Sequence, residues 1–286
     1  MNSGITLIEC PRDAMQGWGR HIPTEEKVNY LNALLKVGFD VLDFGSFVSA
    51  KAIPQLADTA QVIPQLDLGT GKTKLLAIVA NTRGAEEAVR FDEITYLGFP
   101  FSISETFQMR NTNKTIAQSL LQVEEIQNLC VSNNKQLVIY ISMGFGNPYG
   151  DEYNADIAIK WVDRLAKLGI KTMAMSDTVG VAKKNDIEYV FNKIIPEFKQ
   201  LNIGAHFHST PANWEEKIDA AYASGCLRFD SALKGIGGCP MAEDELVGNI
   251  ATENIIYWCD KNKIPLNINK EAFDSALVLA GNIFGH

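Results

Sequence analysis

Two hydrophobic periodicities alternate along this chain from end to end. Residues 5–9 form a short apolar run, and Val28, Leu31, Leu34 and Leu35 then recur at helical spacing, with Thr24 as the expected cap and Gly38 as the stop. The pattern predicts a strand over 39–44, a poor helix over 55–63, a strand over 74–80, a short helix over 84–90 and a strand over 93–98. A long amphipathic helix over 113–133 carries Ile116, Leu120, Val123, Ile126 and Leu129 along one stripe. Strands over 136–143, 170–175, 203–207 and 227–233 follow, each leading into a helix, over 154–168, 185–201, 211–224 and 243–261. A last helix over 270–283 closes the pattern.

Strand-then-helix units imply a parallel sheet, because each helix carries the chain back to the starting edge. Eight of them with no linker-like stretch between predict one α/β domain over 1–286, a closed (β/α)8 TIM barrel with an additional C-terminal helix. An open, doubly wound sheet is the alternative, and it usually needs fewer strands.

Composition narrows the class. A hydrophobic fraction of 46% supports a large buried core, and a net charge of −8 speaks against a nucleic-acid partner, which needs a basic face. Five widely spaced cysteines, none in a CxxC pair, suit reduced thiols in the cytoplasm. No apolar run has the length of a membrane span, and the N-terminus lacks the pattern of a secretory signal. The expectation is a soluble, cytoplasmic protein.

In a barrel of this kind the chemistry sits where strands run into the following loops. Polar residues accumulate at those points. Arg12, Asp13 and Gln16 follow strand one, Asp43 ends strand two, and Ser142 ends strand five. Ser176-Asp177-Thr178 ends strand six, His206-Phe207-His208 ends strand seven, and strand eight leads into Lys234-Gly-Ile-Gly-Gly-Cys-Pro-Met241. His206 and His208 are two apart, so both imidazoles share one face of a strand, either as a divalent-cation site or as two histidines that merely alternate. Zinc would more often recruit cysteine or a third histidine, whereas mixed imidazole and oxygen donors suit Mg²⁺ or Mn²⁺. Cys10 reads as structural, and the glycine run lacks the context of a phosphate-binding loop. Taken alone, Arg12 beside Asp13 reads as a surface ion pair, and Lys72, Lys74, Arg83 and Arg110 read as solvated side chains, with contact to a phosphate as the alternative.

Together these segments resemble the HMG-CoA lyase family of metal-dependent TIM-barrel lyases and synthases. Glu9-Cys-Pro-Arg-Asp-Ala-Met-Gln16 is similar to its E-x-x-P/L-R-D-G-x-Q opening, and Val41-Leu-Asp-Phe-Gly-Ser-Phe-Val-Ser49 to its second strand. Met175-Ser-Asp-Thr-Val-Gly-Val181 and Ala205-His-Phe-His208 resemble two later segments. Gly235-Ile-Gly-Gly-Cys-Pro240 resembles the GLGGCP signature, and Gly248-Asn-Ile-Ala-Thr-Glu253 the GNLATE that follows it. The chain departs from the pattern at Ala14, at Gly17-Trp18, at Asp43 in place of a longer glutamate, and at Ser209-Thr-Pro-Ala212 after the histidine pair.

The resemblance implies a divalent cation, Mg²⁺ or Mn²⁺, on Asp13, His206, His208 and Asn249. It also implies enolate stabilisation by Arg12, acid–base work by Cys239 on a closing glycine loop, and Asp43 and Asp177 in the substrate pocket. Gln16, Ser142 and Glu253 would contact or frame an acyl-CoA substrate, and Asp43 or His206 would serve as the base. The implied reaction cleaves 3-hydroxy-3-methylglutaryl-CoA, or a close analogue, to acetyl-CoA and acetoacetate. Rival expectations are an isopropylmalate or homocitrate synthase-like acyltransferase, a pyruvate-forming aldolase, and a barrel kept only for binding. The helix after Pro265 is expected to cover the barrel bottom or to pair with a second subunit in a homodimer.

Overall fold

The computed structural model describes residues 4–69, 71–238 and 247–285. Eight strands run parallel: β1 (Thr6–Glu9), β2 (Val41–Ser46), β3 (Lys74–Ile78), β4 (Ile94–Ser102), β5 (Gln136–Ser142), β6 (Thr172–Asp177), β7 (Asn202–Ser209) and β8 (Arg228–Ser231). Each pairs with the next, and β8 pairs with β1 from Thr6↔Arg228 to Glu9↔Ser231. That last pairing closes the cylinder and excludes the open sheet. A short β9 (Gly248–Asn249) adds antiparallel to the end of β7, with His208 opposite Asn249.

Strand alternation divides the apolar residues into two cores. Ile8, Cys10, Val41, Leu76, Ile78, Val138, Tyr140 and Ala174 form a small inner cluster. Their neighbours Leu7, Leu42, Leu75, Ile139, Met173 and Met175 face outward into the larger core shared with the helices. The inner cluster is small because buried polar side chains of β2, β7 and β8 take up the rest of the lumen. The fold therefore carries polar chemistry inside an otherwise apolar cylinder.

Helix boundaries follow local chemistry. Ile116–Ser132 opens on a capping box between Thr115 and Gln118, and Ala155–Lys167 opens on Asn154, whose side chain accepts from the Ile157 amide. The final helix, Lys270–Phe284, packs alongside Thr24–Val37 rather than across the barrel bottom. Phe284 is fully buried there, with the rings of Trp18 and Tyr30 at 5.2 and 6.0 Å. Burying a side chain of that size is worth about 2–3 kcal/mol.

Several boundaries differ from the sequence pattern. Thr24 is the first helical residue and caps nothing; its hydroxyl donates to Asp58 Oδ2 at 2.6 Å. The poor helix over 55–63 is a 3-10 turn at Pro54–Leu56, one α-turn at Thr59–Val62 and a second 3-10 turn from Ile63. Strand β4 continues through Pro100 to Ser102 and is followed by an unforeseen helix, Glu105–Thr112, because proline reads as a stop in sequence. A second unforeseen helix, Pro11–Gln16, carries Arg12 and Asp13, with Pro11 at its first position, where no backbone donor is missed. Strand β8 is shorter than predicted, and the helix expected over 243–261 runs over Thr252–Asn262, leaving Asn249 on β9. Residues 243–246 of that expected helix lie outside the described residues. Among the described residues, no helix is long and apolar enough to cross a membrane.

Candidate active site

The C-terminal ends of the strands bring together residues more than two hundred positions apart. Oxygen and nitrogen donors of Asp13, His206 and His208 all lie within 4.8 Å of one another. Asn249 Nδ2 donates to Asp13 Oδ2 at 2.7 Å and to the Ile236 carbonyl at 3.0 Å, so the amide oxygen is the ligating atom left to it. Gly237 makes this approach feasible: a Cβ there would stand 2.8 Å from Asn249 Nδ2 and 2.9 Å from the Asp13 carbonyl. Its φ of +95° is also one that side chains disfavour.

Each imidazole has one nitrogen committed to the protein. His208 Nδ1 donates to the Thr178 carbonyl at 2.7 Å, and His206 Nδ1 pairs with Asp230 Oδ2 at 3.1 Å. In both rings Nε2 is thereby the nitrogen offered to a ligand, the usual way a protein prepares metal-binding histidines. His208 Nε2 is in fact a buried polar atom with no hydrogen-bond partner among the described residues. Burial and the neighbouring His206 lower the His208 pKa to about 4, so the ring is neutral at physiological pH. Burial would push the Asp13 carboxyl up, but Arg12 and the two histidines outweigh it and hold it at about 2. A neutral imidazole and an ionised carboxylate in one buried site fit a divalent cation.

Arg12 organises the other side of the mouth. It donates from Nε and Nη2 to Asp43 Oδ2 at 3.0 and 2.6 Å, and from Nη1 to Asp13 Oδ1 at 2.9 Å and Gln16 Oε1 at 3.0 Å. Gln16 Nε2 returns to Asp13 Oδ1 at 3.0 Å. Asp43 lies within β2 rather than at its end, fully buried, and its Oδ1 has no partner among the described residues. Burial raises its pKa to about 6 in spite of Arg12.

The remaining expected residues divide. Ser142 ends β5 beside Ser102, on the same strand face as Val138 and Tyr140. Glu253 accepts from the Lys234 amide at 3.0 Å and so ties the base of the glycine segment. Asp177 does not enter the pocket. In the β6–β7 register it pairs with outward-facing Phe207, while Ser176 pairs with His206, and its carboxylate meets Lys217 Nζ at 2.6 Å. Cys239 lies outside the described residues. Lys72 and Lys74 stand at the start of β3, on the opposite rim, and Arg110 stacks over Tyr149 at 4.7 Å. Arg83 lines a cavity of about 350 Å³ between the loop after β2 and helix Thr82–Ala88.

Residues to which the sequence assigned no part in the site support it from within. Asp230 receives Arg228 Nη1 at 2.8 Å on one oxygen and faces His206 with the other. Glu9, fully buried, accepts from the Leu233 amide at 2.9 Å and from Thr252 Oγ1 at 2.5 Å, linking β1 to the segments on either side of the glycine run. Cys10 lies in the lumen beside His206 and Asp230. The available signal was parity: Arg228 and Asp230 are two apart on one strand, as the histidines are.

A (β/α)8 barrel whose mouth gathers two imidazoles, a carboxylate and a forked arginine has the donor set of a divalent-cation site. Comparison with known proteins resolves the class further. The HMGL-like family profile matches residues 7–278, and the chain belongs to that family. It is 32% identical over 273 residues to a hydroxymethylglutaryl-CoA lyase of Bacillus subtilis, covering 95% of this chain and 90% of that one. A B. subtilis HMG-CoA lyase crystal structure superposes with a TM-score of 0.93 at 31% identity, over 99% of this chain and 94% of the other. An HMG-CoA lyase from A. baumannii, in complex with coenzyme A and 3-methylmalate, gives a TM-score of 0.90 at 30% identity, over 99% and 92%.

Proposed function

We propose that this protein is a divalent-metal-dependent lyase that cleaves 3-hydroxy-3-methylglutaryl-CoA, or a close 3-hydroxyacyl-CoA analogue, to acetyl-CoA and acetoacetate. The observation that carries this reading is the convergence of Asp13, His206 and His208 within 4.8 Å at the barrel mouth, in a chain of the HMGL-like family. We take the barrel as one catalytic domain acting in the cytoplasm on a small thioester.

Asp13, His206, His208 and the Asn249 amide oxygen would hold the cation, and their mixed donor set favours Mg²⁺ or Mn²⁺ over zinc. When bound, the cation lowers the pKa of the substrate hydroxyl and fixes its orientation. Asp43 accepts that hydroxyl proton. Its raised pKa and unpartnered Oδ1 support the role, whereas His206 has one nitrogen on Asp230 and would give the other to the cation. As the oxygen electrons form the new carbonyl, the adjacent carbon–carbon bond breaks and its electrons pass to the thioester enolate. Arg12, fixed by Asp43, Asp13 and Gln16, presents its charge to that enolate oxygen. Cys239 then donates a proton to the enolate carbon, releasing acetyl-CoA. Gln16, Ser142 and Glu253 frame the acyl chain.

Purified protein incubated with the thioester, thiol reductant and Mg²⁺ or Mn²⁺ is expected to release acetoacetate, followed by mass spectrometry. No acetoacetate under any metal condition would remove the lyase reading. Turnover undiminished in Cys239→Ser would remove the thiol's role and favour an aldolase.

A further inference from the structure

Lys217 occupies an unusual place for a lysine. It sits on helix Trp214–Ala223, only 2% exposed, behind β7 rather than in the mouth. Its ammonium spends its donors on three oxygens: Asp177 Oδ2 at 2.6 Å, the His208 backbone carbonyl at 2.8 Å and the Gly180 carbonyl at 3.1 Å.

All three acceptors lie either on the His208 backbone or on the loop whose Thr178 carbonyl meets the His208 ring. The His208 carbonyl is the backbone of the ligand itself. Asp177 also accepts the Ala182 amide at 3.1 Å on each oxygen, which closes the loop over residues 177–182. Inside that loop Thr178 presents the carbonyl that receives His208 Nδ1 at 2.7 Å. Gly180, at φ +73°, leaves no room for a Cβ, which would stand 2.8 Å from Val247 Cγ1, next to the strand that bears Asn249. One buried cation thus joins the backbone of His208 to the loop that fixes which of its nitrogens carries the proton.

We propose that Lys217 is a positioning residue for His208, holding the histidine backbone and the Thr178 carbonyl in one frame so that Nε2 stays aimed at Asp13 and His206. The inference rests on the metal reading given above. It also gives Asp177 a role other than substrate contact: its carboxylate is the counter-ion that keeps the ammonium in place. Partners that orient ligating histidines typically contribute ten- to a hundredfold in metal affinity.

The test uses the whole protein, stripped of metal, as wild type, Lys217→Met and Asp177→Asn/Lys217→Met. The double variant removes the lone buried carboxylate that could itself destabilise the single variant. Mn²⁺ affinity by calorimetry, histidine imidazole nitrogen NMR without metal, and thermal midpoints are read on each. Both variants are expected to bind Mn²⁺ ten- to a hundredfold more weakly, and His208 is expected to lose its single tautomer before any metal is added. The double variant regains thermal stability without regaining affinity. If either variant, still folded, binds Mn²⁺ within about twofold of wild type and keeps the tautomer, Lys217 is only packing and the inference fails. If wild type itself binds no Mn²⁺, the metal reading fails and takes this inference with it.

Discussion

Arg12 reaches Asp43 through two nitrogens, at 2.6 and 3.0 Å, and both land on the same carboxylate oxygen, Oδ2. The other oxygen, Oδ1, is buried without a partner among the described residues. One residue is thus anchored and left with a proton-accepting atom at once. This asymmetry is what distinguishes Asp43 from Asp13, where each oxygen accepts a hydrogen bond, Oδ1 from Arg12 and Gln16 and Oδ2 from Asn249, and still has lone-pair capacity for a cation.

Asp43→Asn should lower kcat by about 10²- to 10⁴-fold, the range for loss of a general base. Burial raises the Asp43 pKa to about 6, and only the ionised form accepts a proton. The wild-type rate should therefore be flat above that pH and fall about tenfold per unit below it. A pH profile of kcat for both proteins checks this; an acid limb that survives in the asparagine variant assigns the base elsewhere.

Arg12→Lys keeps the charge but loses the fork that reaches Asp43, Asp13 and Gln16 together. We expect kcat to drop by about 10²- to 10³-fold, as when an oxyanion donor is removed. Arg12 lowers the Asp43 pKa against burial, so weakening that pair should also move the acid limb to higher pH. Steady-state kinetics across pH read both effects.

Chelation should abolish turnover, and Mg²⁺ or Mn²⁺ should restore it. A ligand at a hundred times its Kd stabilises the native state by about 2.7 kcal/mol, so Mn²⁺ should raise the unfolding midpoint. His208→Ala removes the buried Nε2 and should erase that rise. Calorimetric unfolding with and without the ion decides it.

Glu9 makes a stability prediction separate from catalysis. Full burial, partly opposed by the Thr252 and Leu233 hydrogen bonds, raises its pKa from 4.5 to about 8. The folded state therefore holds a proton that the unfolded chain releases above pH 4.5. Its contribution is full below that point, declines by up to about 1.4 kcal/mol per unit as pH rises to about 8, and is constant beyond. Glu9→Gln, which keeps an acceptor for Leu233 and a polar group for Thr252, should remove this slope. Urea unfolding at pH 6 and pH 8 measures the difference.

Much of this was legible in the chain itself. Alternating periodicities determine eight strand-and-helix units, since each helix must bury a stripe and each buried strand reads as a short apolar run. The spacing of His206 and His208 determines that they share a face whatever surrounds them. The RD, HxH, GGCP and GNxATE segments named the family that the profile and the relatives then showed.

Facing and partnership needed the tertiary structure. Ser176 and Asp177 are adjacent at the end of β6, and only the register with β7 sends the serine inward and the acid outward to Lys217. Parity in a strand reverses with a shift of one residue, and a sequence does not state where register begins. Lys217, Arg228 and Asp230 likewise look like ordinary charges until the barrel closes, because a buried charge is recognised by its partner, and theirs are set by packing across strands and helices.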